Sequence, residues 1–139
     1  MMITKVTVTG HIAKQHVLVE GQPCVASRPR VTRWGTYYPK KYKDWMAEIH
    51  DLLPSQDKKF QEPSHVYVRL VFVVSKAKTS KLTRPHGDID NFCKAILDAL
   101  TKRGFWYDDV DITELKATKR YAVEGEEPHT SVQIKRELP

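Results

Sequence analysis

The side chains best equipped for chemistry in this sequence are acidic, and they gather in residues 87–112, GDIDNFCKAILDALTKRGFWYDDVDI. Asp88 and Asp90 open a predicted helix, Lys94 and Asp98 follow at four-residue steps, and Asp108, Asp109 and Asp111 come after its end. A carboxylate at a helix start accepts first-turn N–H bonds and complements the helix dipole. That accounts fully for one aspartate and less well for two, because neighbouring carboxylates repel unless something positive lies between them. A ladder Asp90–Lys94–Asp98 on one helical face is a structural alternative, worth a few tenths of a kcal/mol per pair. Asp109 and Asp111 have strand spacing and are expected to point to one side, away from Val110 and Ile112. A strand lying beside the helix start would bring them to Asp88 and Asp90.

Hard divalent cations such as Mg²⁺ prefer carboxylate and water oxygens and keep several waters while touching phosphate. Phosphodiester hydrolysis needs an activated water and neutralisation of the charge growing on phosphate and leaving oxygens. A nearby lysine supplies a further cation to the transition state or orients the water. On spacing alone, a metal-dependent phosphodiesterase and a set of unrelated surface and capping aspartates both remain open.

The charge distribution favours a polyanionic partner. The formal net charge is +6, but residues 25–43 hold Arg28, Arg30, Arg33, Lys40, Lys41 and Lys43 with no acid. Residues 75–86 add Lys76, Lys78, Lys81 and Arg84, again with no acid, whereas residues 88–127 hold ten acids against six bases. Basic stretches attract nucleic acid and release its counterions. Trp34, Tyr37 and Tyr38 interrupt the first of them, and such rings can stack on unpaired bases. The alternative is a solvated basic loop.

The elements that must position these groups fit a chain of 139 residues that is 40% hydrophobic, enough for one domain with its own core, residues 1–139. Alternation predicts strands over 2–9, 16–20, 65–74, 110–123 and 130–138, the fourth slipping in phase near Glu114-Leu115. In the third, Val66, Val68, Leu70, Phe72 and Val74 share a face, and Val71 and Val73 indicate a far end covered on both sides. Trp34-Gly35-Thr36 reads as the turn of a short hairpin. Pro39 suits the first position of a helix carrying Tyr42, Trp45, Ile49 and Leu52/Leu53 inward, ended near Pro54. Residues 55–64 read as a loop. A second helix over 89–103 is expected to bury Ile89, Phe92, Ile96, Ala99 and Leu100 and to end at Gly104. The fold class is α+β (α/β-like), a small mixed sheet packed with two principal amphipathic helices.

Several chemistries are excluded. There is no G-x-x-x-x-G-K-[ST] loop, G-x-G-x-x-G fingerprint, H-E-x-x-H motif or serine elbow. Cys24 and Cys93 are too far apart for a zinc knuckle and read as reduced thiols, Cys93 beside the second helix. His86 reads as a loop histidine, with phosphate orientation or pairing to an acid as its functional alternative. No apolar run is long enough to cross a membrane and no leader pattern opens the chain, so a cytoplasmic location is expected.

The segment DIDNFCKAILDALTKRGFWYDD, read with the upstream SRPRVTRWGTYYPKKYKDW, resembles the RusA-type Holliday junction resolvases of bacteria and their phages. The resemblance covers much of residues 24–125, with the first fifteen or so an extension. It implies metal-binding acids at Asp88, Asp90 and Asp109, an essential lysine at Lys94, and supporting roles for Asn91 and Asp108. It also implies a homodimer acting on four-way DNA junctions with Mg²⁺, or Mn²⁺ in its place, and paired nicks across the branch. Arg28, Arg30, Arg33, Lys76, Lys78, Lys81 and Arg84 would then hold backbone phosphates. No small-molecule cofactor is expected. The rival activities are a broader flap or fork nuclease and a DNA-binding dimer without cleavage.

Overall fold

Strand β5 (His65–Val74) is the centre of the architecture, and its residues show why. Val66, Val68, Leu70 and Phe72 join the core that also holds both helices, while Val73, on the opposite side of the strand, is fully buried at the far end. β-branched and aromatic side chains at seven of its ten positions suit a strand with neighbours on both edges. A computed structural model describes residues 2–56 and 65–137. The expected loop over 55–64 falls mostly outside them, as does Leu138.

The remaining elements are β1 (Ile3–His11), β2 (Lys14–Gly21), a short hairpin of β3 (Arg30–Thr32) and β4 (Gly35–Tyr37), α1 (Lys40–Leu52), α2 (Ile89–Lys102), β6 (Ile112–Tyr121) and β7 (His129–Glu137). Five strands form a mixed sheet in the order β1-β2-β7-β5-β6, and β3 pairs only with β4. β7 runs antiparallel to β2 and β5, whereas β5 and β6 are parallel. The inward stripes Val17 and Val19, Val132 and Ile134, and Val66 to Phe72 lie in register and pack with Tyr42, Trp45, Ile49 and Leu53 of the α1 segment and with Phe92, Ile96, Ala99 and Leu100 of α2. This is the small α+β fold expected, with a mixed sheet and two helices. No helix among the described residues is long and apolar enough to cross a membrane.

Parallel neighbours need a crossover, and α2 supplies it between β5 and β6. The helix therefore runs against both strands, and its start lies over their carboxyl ends. Its own end is fixed by Gly104, whose φ of 80° receives the chain after Arg103. Gly104 N–H donates to Thr101 O at 3.0 Å and Phe105 N–H to Leu100 O at 3.1 Å, closing the last turn.

Four local expectations change. Pro39 caps α1 from outside rather than occupying its first turn. Ile89, the first residue of α2, is exposed and does not join the core that takes up Phe92 and Ile96. The fourth strand begins at Ile112 rather than 110, and Asp109–Asp111 form a single 3-10 turn, so Asp109 and Asp111 do not alternate as strand residues. Asp108 explains that turn: its Oδ1 accepts from Val110 N–H, and its own N–H donates to Asp111 Oδ2, both at 3.3 Å. The phase slip near Glu114 is a bulge, since Val66 pairs with Ile112 and the next residue, Tyr67, with Glu114.

Candidate active site

Asp88 and Asp90 occupy the N-cap and first turn of α2. The chain enters this turn through Gly87, at φ 104°, where a Cβ would stand 3.1 Å from Phe92 and 3.4 Å from Val25. Only glycine allows both the backbone angle and the close packing. Lys119, reaching inward from β6, fixes the same entry: its Nζ donates to Pro85 O at 3.0 Å and to Gly87 O, and lies 5.9 Å from the Phe92 ring centroid. With the preceding carbonyls held by Lys119, the two aspartates stand exposed at the helix tip. Asp88 makes no side-chain capping bond, and among the described residues neither carboxylate has a hydrogen-bond or ion-pair partner.

The basic segment starts beside them. Ala26 N–H donates to Asn91 O at 2.9 Å, which anchors the chain two residues before Arg28. A cleft of about 390 Å³ is lined by Arg84, His86, Asp88, Asn91 and Lys119 among others. Asp88, Asn91 and Arg84, all singled out from the sequence, thus share one cleft. His86 and Lys119 join them, and neither was assigned to the site from sequence. An inward lysine on a strand resembles an outward one until the bulge at 113 sets the phase; after it, Ala117, Lys119 and Tyr121 follow one face.

Lys94 and Asp98 form an ion pair at 3.3 Å, and Asp90 is not part of it, so the expected three-residue ladder is a single pair. Arg28, Arg30, Arg33, Lys76, Lys78, Lys81 and Arg84 are all exposed. Lys76 Nζ stands 5.5 Å from the Tyr121 ring centroid, folding the start of its loop back toward β6.

Asp109 lies elsewhere. Its Oδ1 is 2.5 Å from Thr101 Oγ1 and accepts from Trp106 Nε1 at 3.4 Å, at the end of α2. Trp106 Nε1 also donates to Thr101 Oγ1 at 2.6 Å. Thr101 is eleven residues after Asp90 on the same helix, a separation of about 16 Å at 1.5 Å rise per residue. Within one chain the structure therefore does not bring Asp109 to Asp88 and Asp90. Among the described residues no group of three acids, histidines or cysteines is placed to hold a metal ion. Asp108 is committed to building the 3-10 turn.

Asp88 and Asp90 offer hard oxygen donors without protein partners, which suits Mg²⁺ or Mn²⁺ as a two-carboxylate half-site. Two carboxylates two residues apart with no cation between them repel, and a bound cation would relieve that repulsion.

The two-layer α+β domain thus carries two exposed acids at one helix tip, with Arg84 in the same cleft and the other exposed arginines and lysines in the segments that lead to and from it. The model of the family Endodeoxyribonuclease RusA matches residues 20–135, and the chain belongs to that family. β1 and most of β2 precede the match. Proteins called crossover junction endodeoxyribonuclease RusA from Escherichia coli strain K12, Shigella sonnei strain Ss046 and Enterobacteria phage 82 are each 43% identical over 42 residues. That stretch is 30% of this chain and 35% of the length of each of those relatives.

Proposed function

We propose that the protein is a metal-dependent endodeoxyribonuclease that resolves four-way DNA junctions by paired, symmetric nicks, working as a homodimer with Mg²⁺, for which Mn²⁺ can substitute. The observation that carries this reading is the pair of exposed, unpartnered carboxylates of Asp88 and Asp90 beside a wholly basic segment. A protein that only bound the DNA backbone would gain nothing from two acids there, since they repel phosphate.

Asp109 enters the site from a second copy of the chain. Each acidic end carries an exposed apolar side chain between its carboxylates: Ile89, 37% exposed, between Asp88 and Asp90, and Val110, 79% exposed, between Asp109 and Asp111. Tyr107, 65% exposed, extends the second patch. A two-fold dimer that sets the tip of α2 against the partner's 3-10 turn buries both patches twice over. It also forms two identical sites, as cutting two opposed strands requires.

When bound, the divalent cation supplies neutralisation of the phosphate charge and acidification of a water. Asp88, Asp90 and the partner copy's equivalent of Asp109 hold that position, with Thr101 and Trp106 orienting Asp109. Arg84 and the Arg28–Arg33 stretch hold the neighbouring phosphates. Lys94, kept on the α2 surface by Asp98, places a cation at the leaving oxygen. The oxygen of water bonds to phosphorus as the bond from phosphorus to the 3′ oxygen breaks, leaving a 3′ hydroxyl and a 5′ phosphate.

Cleavage of a synthetic four-way junction beside linear, flap and fork DNA tests the reading. Paired nicks that require Mg²⁺, vanish with chelator and are absent from Asp90→Asn are expected. Equal cutting of linear duplex would remove the junction assignment, and equal cutting of flaps or forks would widen it.

A further inference from the structure

The β3–β4 hairpin stands apart from the sheet and serves no packing role, since all six of its strand residues are exposed. Arg30 pairs with Tyr37, Val31 with Thr36 and Thr32 with Gly35, leaving Arg33 and Trp34 as the two-residue tip. Trp34 is 84% exposed and Val31 80%. A two-stranded ribbon is marginal alone in water, and an open indole forgoes a large burial term. Yet the tip is held in shape. Thr32 Oγ1 accepts from Trp34 N–H and donates to Gly35 O, both at 3.2 Å, and the Arg33 guanidinium lies 4.9 Å from the Trp34 ring centroid.

Resting on the branched-DNA reading above, we infer that this hairpin is a wedge whose Trp34 stacks on a base face left open at the branch point, with Arg33 on the adjoining phosphate. Charge complementarity selects this occupant: residues 25–43 contain six bases and no acid. An aromatic plane with a guanidinium beside it matches a base and its phosphate. Inside an uninterrupted duplex, both faces of each base are covered by neighbours. A branch point breaks that stack, so the wedge confers preference for branched over linear DNA rather than general affinity.

The test measures binding in chelator, without cleavage, to a junction carrying 2-aminopurine at the branch and to linear duplex of the same sequence. The wild-type chain should change the 2-aminopurine emission. Trp34→Ala should lose that change and bind the junction about tenfold more weakly, the size of one lost stacking contact, while duplex binding stays within about twofold. Trp34→Phe should retain most of both. Trp34 is outside the core, so loss of folding does not confuse the result. A wild-type preference for the junction that Trp34→Ala leaves intact overturns the wedge alone. So does a fall in junction binding that sedimentation traces to loss of the dimer, which would make the tip a protein contact. A wild-type chain that binds junction no better than duplex removes the branched-DNA reading and the wedge with it.

Discussion

Asp90 and Asp109 mark opposite ends of α2: Asp90 lies in its first turn, and Asp109 is bonded to Thr101 near its last. The separation follows from topology. A helix that crosses between two parallel strands starts over their carboxyl ends and finishes beside the start of the second strand. Residues at the helix tip and just before that strand are thereby kept apart, unless a second copy of the chain brings its own.

Thr101 is the link between Asp109 and the helix. Thr101→Val removes the hydroxyl on the carboxylate and leaves the Trp106 N–H with the longer bond to Asp109. Cleavage should need more Mg²⁺ for half-maximal rate, and stability should fall by about 1 kcal/mol. A metal titration of the nicking rate and a urea midpoint check the two effects separately.

Lys119→Met leaves two carbonyls, Pro85 O and Gly87 O, without their charged donor. Hydrogen bonds to charged groups contribute about 1.5–3 kcal/mol, and a loss of that size is expected in urea unfolding. The entry to α2 loosens with it, so the nicking rate at saturating DNA should fall more than DNA affinity does.

How much of this was legible in the sequence depended on which signal a residue carried. β5 and the buried stripe of α2 announce themselves by period, and Gly104 by its place after that stripe. The Asp109–Asp111 turn does not, because Asp-Val-Asp has strand spacing and only the bonds made by Asp108 bend it. Lys119 was hidden by the bulge at 113. The helix start at Asp88 and Asp90 is readable from the stripe that follows it, and the basic residues lie exposed, as charged side chains mostly do. The distance of the two aspartates from Asp109 required the direction of the crossover, which spacing along the chain does not give.

Glu126 carries a pH signature. The Arg120 guanidinium grips it with bonds of 2.6 and 2.8 Å, and with help from Val123 N–H its carboxyl is held down to about 2. A lowered folded value stabilises fully above the ordinary carboxylate range, and the contribution is lost as pH falls from there through about 2. Glu126→Gln should therefore narrow the stability difference between pH 7 and pH 3. An NMR titration of the side chain should show a midpoint near 2.

Burial pushes the Cys24 thiol up to about 12, outweighing the opposing Lys41 charge, and raises Cys93 as well. Both are free thiols. Alkylation at pH 8 should be slow in the folded protein, slowest at the buried Cys93, and fast in urea; fast labelling of Cys93 in the folded chain would contradict its burial.

The shared site is tested most directly by mixing two inactive variants, Asp90→Asn and Asp109→Asn, after unfolding and refolding them together. In a mixed dimer the first supplies an intact Asp109 and the second an intact Asp88 and Asp90, so one of the two sites is rebuilt. The prediction is restored Mg²⁺-dependent nicking of one junction strand at a time, absent from either variant alone. No nicking from a mixture proven to contain mixed dimers would show that the three carboxylates must come from one chain, and would contradict the account.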